Sequence, residues 1–187
     1  MPPPRAEGTS PGLHLEVLIG ALQRHTVEYL VVGGVAAQAY GATRPTKDLD
    51  CVVRHQRENL DRLGGALREL GARLRVGRLS DEEAKLLPFQ LDGASLAGGQ
   101  MWTLRTDAGD LDVLANIPGA LGTRLDYEAL VGRAGLVQVD SLTILVASLD
   151  DVIVSKQVAD RPKDHEALPE LLQIAERSAP TMGGLVE

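Results

Sequence analysis

Two pairs of aspartates, each pair separated by one residue, are the positions in this sequence best suited to chemistry. Asp48 and Asp50 flank a leucine, and Asp110 and Asp112 do the same further along the chain. Within a β-strand, residues i and i+2 point to the same face, so each pair would project two carboxylates side by side. Such carboxylates repel one another unless a cation lies between them, and Mg²⁺ is a hard ion that takes oxygen ligands. The simpler alternative is a solvated strand face for the first pair and an exposed hairpin for the second.

A pair of glycines precedes the first aspartate pair, at the point where an apolar run ends. Gly33 and Gly34 follow VEYLVV, which has the β-branched and aromatic content of a buried strand, and precede the short helical stretch VAAQAYG. Glycines at such a place let the backbone approach a ligand closely, and the free N–H groups of a helix start suit an anion such as a triphosphate. A structural turn between strand and helix would use the same residues.

The second aspartate pair gains significance if its strand lies beside the first. A third carboxylate, from Asp112, would then complete a site able to hold two metal ions. In such a site one metal activates an attacking oxygen and the other neutralises a departing pyrophosphate.

The elements that must position these residues follow from hydrophobic periodicity and turn signals. Apolar spacing predicts helices over 13–25 and 58–70, and strands over 27–32 and 48–54. Strands over 100–106 and 109–114 form a hairpin, and a smaller pair follows at 136–139 and 143–146. Two helices close the chain, the first capped by Ser148 and the second opened by Pro162. We expect this second helix to bury an apolar stripe of Leu168, Leu171, Leu172 and Ala175.

The alternation of strands and helices, followed by a hairpin, predicts an α/β fold with a mixed sheet. Residues 1–12 are predicted to be a flexible tail, 13–147 a core, and 148–187 a helical segment packed on it. The stretch 71–99 shows no clear period, apart from a short strand over ARLRV.

Composition bounds the possible functions. The formal net charge of −7 excludes the diffuse basic surface by which non-specific nucleic-acid binders hold phosphates. The single cysteine excludes an intramolecular disulfide, and no apolar run reaches the length of a membrane span. The proline-rich start lacks the apolar region of a signal peptide, so we expect a soluble, cytoplasmic protein with no membrane partner.

Three segments together resemble the nucleotidyltransferase superfamily, which has the polymerase-β-like fold. They are GGVAAQAYGATRPTKDLDCVV, GDLDVLANIPG and ASLDDVIVSKQVADRPKDHEALPEL, and the last is similar to the ending of bacterial AbiEii/AbiGii-type toxin nucleotidyltransferases. The resemblance implies an α/β nucleotidyltransferase fold, with a mixed central sheet flanked by helices and a short C-terminal helical segment. It also implies transfer of a nucleotide monophosphate from an NTP, such as ATP, to an acceptor hydroxyl, with Mg²⁺ as cofactor (two ions).

The resemblance also implies roles for individual residues. Asp48, Asp50 and Asp112 would bind the metals, and Asp112 would activate the acceptor hydroxyl, with Asp110 behind it. Gly33 and Gly34 would touch the triphosphate. Many members of the superfamily have serine where this chain has Gly34, so a hydroxyl contact to phosphate is expected to be lost.

Four basic residues are candidates for binding the nucleotide: Arg44, Lys47, Lys156 and Lys163. The first two flank the loop before the aspartate pair, where they would reach a triphosphate or lie solvated. Lys156 is expected at the edge of a buried helix face, where it would either extend towards solvent or point at a buried anion. Asp164 would simply cap the last helix.

The sequence leaves the chemical class of the acceptor open. RNA such as tRNA, a protein hydroxyl of a cognate toxin or antitoxin partner, and a small molecule are all consistent with the resemblance. The small-molecule case is reminiscent of aminoglycoside and lincosamide nucleotidyltransferases. A non-catalytic nucleotide-binding module is the alternative from another class.

Overall fold

The computed structural model describes residues 12–77, 79–87, 90–139 and 141–178. The strands are β1 (Tyr29–Val32), β2 (Asp48–Val53), β3 (Arg73–Leu74), β4 (Met101–Thr106), β5 (Gly109–Leu114), β6 (Asn116–Pro118), β7 (Arg124–Asp126), β8 (Gly135–Val139) and β9 (Leu142–Val146). The helices are α1 (Leu15–Arg24), α2 (Gly33–Ala39), α3 (Arg57–Glu69), α4 (Asp81–Lys85), α5 (Gly93–Ala97), α6 (Tyr127–Val131), α7 (Leu149–Ala159) and α8 (Pro162–Ser178). A 3₁₀ turn spans Ala120–Gly122.

Seven strands form one sheet in the order β3-β4-β5-β2-β1-β9-β8, and the sheet is mixed, as the sequence predicted. Strands β2 and β5 run parallel, as do β1 and β9, whereas the other neighbouring pairs are antiparallel. Strands β6 and β7 form a separate two-stranded sheet that the sequence did not predict. The central strands are therefore β5, β2 and β1. Strands β2 and β5 carry the aspartates, and β1 ends at the glycine pair.

Helices cover the sheet with their apolar residues inward. Leu60, Leu63 and Leu67 lie on one face of α3 and are almost fully buried, as the helical spacing predicted. Helix α3 contacts α1 and α5, while α7 contacts α8, α2 and β6. Ser148 caps α7 by accepting a hydrogen bond from the Asp151 N–H, and Pro162 opens α8, both as predicted.

Several sequence predictions need correction. Leu172 is 43% exposed and does not belong to the buried stripe of α8, whereas its neighbour Leu171 is fully buried. The strand predicted over ARLRV is shorter than expected, since β3 covers only Arg73 and Leu74, although the Arg75 N–H still donates to the Thr103 carbonyl of β4 at 2.9 Å. The predicted flexible tail lies outside the described residues, apart from Gly12.

Three short helices were missed because each is too brief to show a period. Helix α4 begins with a capping box between Ser80 and Glu83, and α5 and α6 begin with the caps Asp92 and Asp126. These capping residues are the local signal that could have located them. No described helix combines the length and the apolar character needed to cross a membrane.

Candidate active site

The two aspartate pairs lie on neighbouring parallel strands in matched register. Asp48 is opposite Asp110, and Asp50 is opposite Asp112. The intervening Leu49 and Leu111 are fully buried on the other face of the sheet. Carboxylate oxygens of Asp48, Asp50 and Asp112 all lie within 4.8 Å of one another. The alternation of side chains along a strand and the pairing of β2 with β5 thus bring three carboxylates together, as the sequence analysis anticipated.

The electrostatics of this cluster favour a cation. Burial, followed by the neighbouring carboxylates of Asp48 and Asp112, raises the pKa of Asp50 from 3.8 to about 6, against the opposing effects of Lys163 and the Gly34 N–H. The pKa of Asp112 is also raised, again mainly by burial. A divalent ion would remove the repulsion that disfavours the charged forms, and three carboxylates are the donor set that Mg²⁺ prefers.

Glycine is required at positions 33 and 34 because the side chains of Asp50 and Thr46 approach the backbone closely there. Gly33 adopts a left-handed conformation with φ +66°, and a Cβ atom there would lie 2.0 Å from Asp50 Oδ2. A Cβ atom at Gly34 would lie 2.4 Å from Thr46 Oγ1. The Gly34 N–H donates to the Asp50 carboxylate. The pair therefore makes room for, and holds, a candidate metal ligand.

An arginine that the sequence analysis overlooked holds the third carboxylate. Arg75 Nη1 lies 2.6 Å from Asp110 Oδ2, and Arg75 Nη2 lies 2.9 Å from Asp112 Oδ1. Asp110 is nearly buried and also pairs with Arg105 Nε at 3.2 Å. The expected position of Asp110 behind the cluster is thus explained by its contacts, since it anchors the guanidinium that fixes Asp112. Arg75 belongs to the predicted strand ARLRV, but no feature of that segment indicates that it reaches the aspartates.

The basic candidates differ in how they are engaged. Lys156 Nζ lies 3.3 Å from Asp164 Oδ1, and Asp164 is fully buried. Lys156 therefore points at a buried anion, the second of the two alternatives raised for it. Arg44 pairs with Glu166 at 2.8 Å and donates to the Lys163 carbonyl at 2.8 Å. The side chains of Lys47 and Lys163 are exposed.

Asp164 pairs with two basic side chains rather than simply capping α8. It lies within the first turn of the helix and accepts from Arg161 Nε at 2.6 Å as well as from Lys156. Burial alone would raise the pKa of this carboxyl, but Arg161 and Lys156 together hold the pKa below its usual range. The ion pair with Asp164 thereby holds the charged side chain of Lys156 at the junction of α7 and α8.

The candidate metal ligands, the glycine pair and the basic candidates border one cleft of about 590 Å³. Its lining includes the glycine pair, the three clustered aspartates and the four basic candidates Arg44, Lys47, Lys156 and Lys163. Beyond Asp112 the wall is formed by Met101, Leu114, Asn116, Ile117, Pro118 and Arg124. The cleft thus has a cationic end beside the glycines and a largely apolar end beside the third carboxylate.

Solved structures with this architecture are nucleotidyltransferases. The lincosamide antibiotic adenylyltransferase LnuA, solved with lincomycin bound, is 14% identical with a TM-score of 0.56, over 87% of this chain and 99% of LnuA. The antibiotic-resistance factor ANT(2'')-Ia, in complex with adenylyl-2''-tobramycin, is 16% identical with a TM-score of 0.54, over 87% and 88%. A Thermotoga maritima protein assigned to the same class is 18% identical with a TM-score of 0.53, over 85% and 90%.

These likenesses establish the nucleotidyltransferase fold for this chain. At such identities they establish the fold alone. Comparison with protein-family models gave no match, and neither did comparison with curated protein sequences. The resemblance to toxin-type nucleotidyltransferases therefore stays a prediction.

Proposed function

We propose that this protein is a Mg²⁺-dependent nucleotidyltransferase that transfers a nucleotide monophosphate from an NTP to an acceptor hydroxyl. The observation that carries the proposal is the cluster of Asp48, Asp50 and Asp112, which meets the Gly33–Gly34 turn in one cleft. The nucleotidyltransferase fold supports it independently. The fold by itself would also suit a non-catalytic binding module, but such a module has no need for three mutually repelling carboxylates.

The residues present fit the metal that this activity needs. Three carboxylates offer only hard oxygen donors, and their proximity leaves negative charge to be neutralised. We propose that Asp48 and Asp50 take part in binding two ions, with Asp112 completing one of the two sites. Bound Mg²⁺ would supply charge neutralisation for the phosphates and lower the pKa of the acceptor hydroxyl.

The chain's own residues would then position the reactants. The acceptor oxygen forms a bond to the α-phosphorus while the bond from that phosphorus to the β-phosphate oxygen breaks, so pyrophosphate leaves with the electron pair. We propose that Asp112, whose Oδ1 accepts a hydrogen bond from Arg75 Nη2, receives the hydroxyl proton. Catalysis of this kind depends on positioning and on stabilisation of charge rather than on covalent chemistry.

The nucleotide belongs at the cationic end of the cleft. Lys47 and Lys163 are exposed, and we propose that they contact the triphosphate next to Gly33 and Gly34. We propose that Arg44 and Lys156, which also line the cleft, contribute to nucleotide binding, since their contacts with Glu166 and Asp164 each use only some of their N–H donors. ATP is the NTP we propose, by analogy with the adenylyl transfer named for LnuA.

The acceptor belongs at the other end, beside Asp112. Structural neighbours that bind lincomycin or an adenylylated tobramycin favour a small molecule. The similarity of the C-terminal segment to toxin nucleotidyltransferases favours tRNA or a protein, and with it a cognate toxin or antitoxin partner. Of these we favour the small molecule, because LnuA is matched over 99% of its length by this chain.

Labelled nucleotides test the proposal directly. The protein, Mg²⁺ and α-³²P-labelled NTPs are incubated with cell extract, and the label is followed into small molecules, RNA and protein. Incorporation from α-labelled but not γ-labelled NTP, with pyrophosphate release, supports nucleotidyl transfer, and the labelled fraction identifies the acceptor class. Asp48→Asn and Asp112→Asn should lose incorporation while retaining the fold by circular dichroism. Nucleotide binding without label transfer or pyrophosphate release would instead indicate the non-catalytic module.

A further inference from the structure

Thr46 occupies the space that a side chain at position 34 would need. A Cβ atom built on Gly34 would lie 2.4 Å from Thr46 Oγ1 and 2.7 Å from Thr46 Cβ. Gly34 has an ordinary negative φ, since the left-handed glycines do not include it. The requirement for glycine at 34 is therefore set by Thr46 rather than by backbone conformation.

The Thr46 hydroxyl contacts a candidate metal ligand. Thr46 Oγ1 lies 3.1 Å from Asp48 Oδ1 and 3.2 Å from the Asp48 carbonyl oxygen, and it can donate to either. Thr46 is partly buried and lines the cleft together with Gly34 and Asp48. Thr46, at the end of the loop that precedes β2, thus contacts the first carboxylate of the cluster.

The loop that carries Thr46 is fixed at its other end. The Thr43 N–H and hydroxyl donate to Glu170 Oε1 at 2.9 and 2.8 Å, and the Gln38 side chain donates to the Arg44 carbonyl at 3.0 Å. Arg44 itself contacts α8. These contacts place the Thr46 hydroxyl on a supported backbone, which a positioning contact requires.

We propose that Thr46 is a positioning residue that fixes the orientation of Asp48 for metal binding. A side chain at 34 would enter the space that the Thr46 hydroxyl fills, because its Cβ atom would lie beside Thr46 Oγ1. Positions 34 and 46 thus compete for one space next to Asp48. The inference rests on the proposed function, because it concerns how that metal site is held.

A set of single and double substitutions separates the hydroxyl from simple packing. Thr46→Val keeps the shape and removes the hydroxyl, and Thr46→Ser keeps the hydroxyl. Gly34→Ser introduces the predicted clash, and alanine at 46 would not relieve it because the Thr46 Cβ atom itself lies 2.7 Å from the added Cβ atom. Gly34→Ser/Thr46→Gly therefore moves the hydroxyl to the other position, and Gly34→Ala/Thr46→Gly fills the space without a hydroxyl. The readouts are Mn²⁺ affinity by electron paramagnetic resonance, affinity for Mg²⁺ with a non-hydrolysable ATP analogue, and thermal stability.

We expect Thr46→Val to bind Mn²⁺ about five-fold more weakly, since loss of a net hydrogen bond of about 1 kcal/mol changes an equilibrium constant by that factor. Thr46→Ser should match the wild type, and Gly34→Ser should lose affinity for both ligands. The double variant Gly34→Ser/Thr46→Gly should recover Mn²⁺ affinity, whereas Gly34→Ala/Thr46→Gly should resemble Thr46→Val.

Two results would overturn the inference while leaving the proposed function intact. One is a Thr46→Val variant that binds Mn²⁺ as the wild type does. The other is equal recovery in both double variants, which would mean that only the space matters. A wild-type protein that binds no Mn²⁺ would overturn the metal site itself, and this inference with it.

Discussion

Substitution of Gly33 by alanine tests the structural basis of the candidate active site most directly. The added Cβ atom would lie 2.0 Å from Asp50 Oδ2, whereas real Cβ contacts are essentially never shorter than 3.0 Å. The Asp50 carboxylate must therefore move by about 1 Å (3.0 − 2.0), and a misplacement of that size can cost about 10²-fold in rate. Asp50 would leave the position at which it meets Asp48 and Asp112.

The same substitution also carries a backbone cost that must be separated from the clash. A non-glycine residue in the left-handed region costs roughly 1–2 kcal/mol, equivalent to a fall in Tm of roughly 2–8 °C for a chain of this size. Gly122 provides the matched control, because its φ is +76° and nothing lies within 4 Å of an added Cβ atom. Gly33→Ala and Gly122→Ala should therefore lose similar backbone stability, but only Gly33→Ala should lose function.

The assay is pyrophosphate release with the acceptor fraction identified by labelling, together with Mn²⁺ affinity and thermal melting of both variants. We expect Gly33→Ala to lose about 10²-fold in rate and to bind Mn²⁺ more weakly, with Gly122→Ala close to the wild type. Wild-type Mn²⁺ affinity and rate in Gly33→Ala would refute the reasoning. Equal losses of activity in the two variants would also refute it, since the backbone cost alone would then be responsible.

Three further predictions concern the charges around the site. Because the Asp50 pKa is higher in the folded protein than its ordinary value of 3.8, its contribution to stability falls as pH rises from 3.8 through about 6, by at most about 3 kcal/mol over that whole range. Urea unfolding in EDTA at pH 5 and 7.5 should show about half of this loss in the wild type. The loss should be smaller in Asp50→Asn, where Asp112 still has a raised pKa, and Mg²⁺ should reduce it. Arg75→Gln should bind Mn²⁺ more tightly, because Asp112 loses its cationic partner. The same variant should release pyrophosphate about ten-fold more slowly, because Asp112 is no longer held in position. Parallel losses of Mn²⁺ affinity and of rate would contradict the positioning role of Arg75. Lys156→Met should lower the free energy of unfolding by about 1–3 kcal/mol in urea titrations, because the buried carboxylate of Asp164 loses one of its two cationic partners. An unchanged free energy of unfolding would mean that Arg161 alone satisfies that carboxylate.

The features that could be predicted from sequence are those governed by short-range rules. The alternation of side chains along a strand places Asp48 with Asp50, and Asp110 with Asp112, whatever the rest of the fold does. The hairpin of β4 and β5 and the Ser148 cap also follow from neighbouring residues. The mixed sheet was predictable because strands and helices alternate before the hairpin.

The predictions that failed, and the elements that were not predicted, lie where neighbouring residues do not determine the structure. Leu172 fits the helical period of α8, but whether a neighbouring element covers that face depends on packing, and it is exposed. Helices α4, α5 and α6 are shorter than two turns, so their only local signals are their caps. The strand predicted over ARLRV was found, but β3 is shorter than predicted.

The sequence by itself determined the chemistry of this protein's candidate site: three carboxylates on two strands, a glycine pair and a set of basic residues. The tertiary structure alone decided how each of them is held. It brings Arg75 across to Asp112, Thr46 against Gly34, and Lys156 to Asp164. The physical reason is that residue type and spacing fix which face a side chain takes, whereas its partners are set by how separate segments pack, and packing leaves no periodic mark in the sequence.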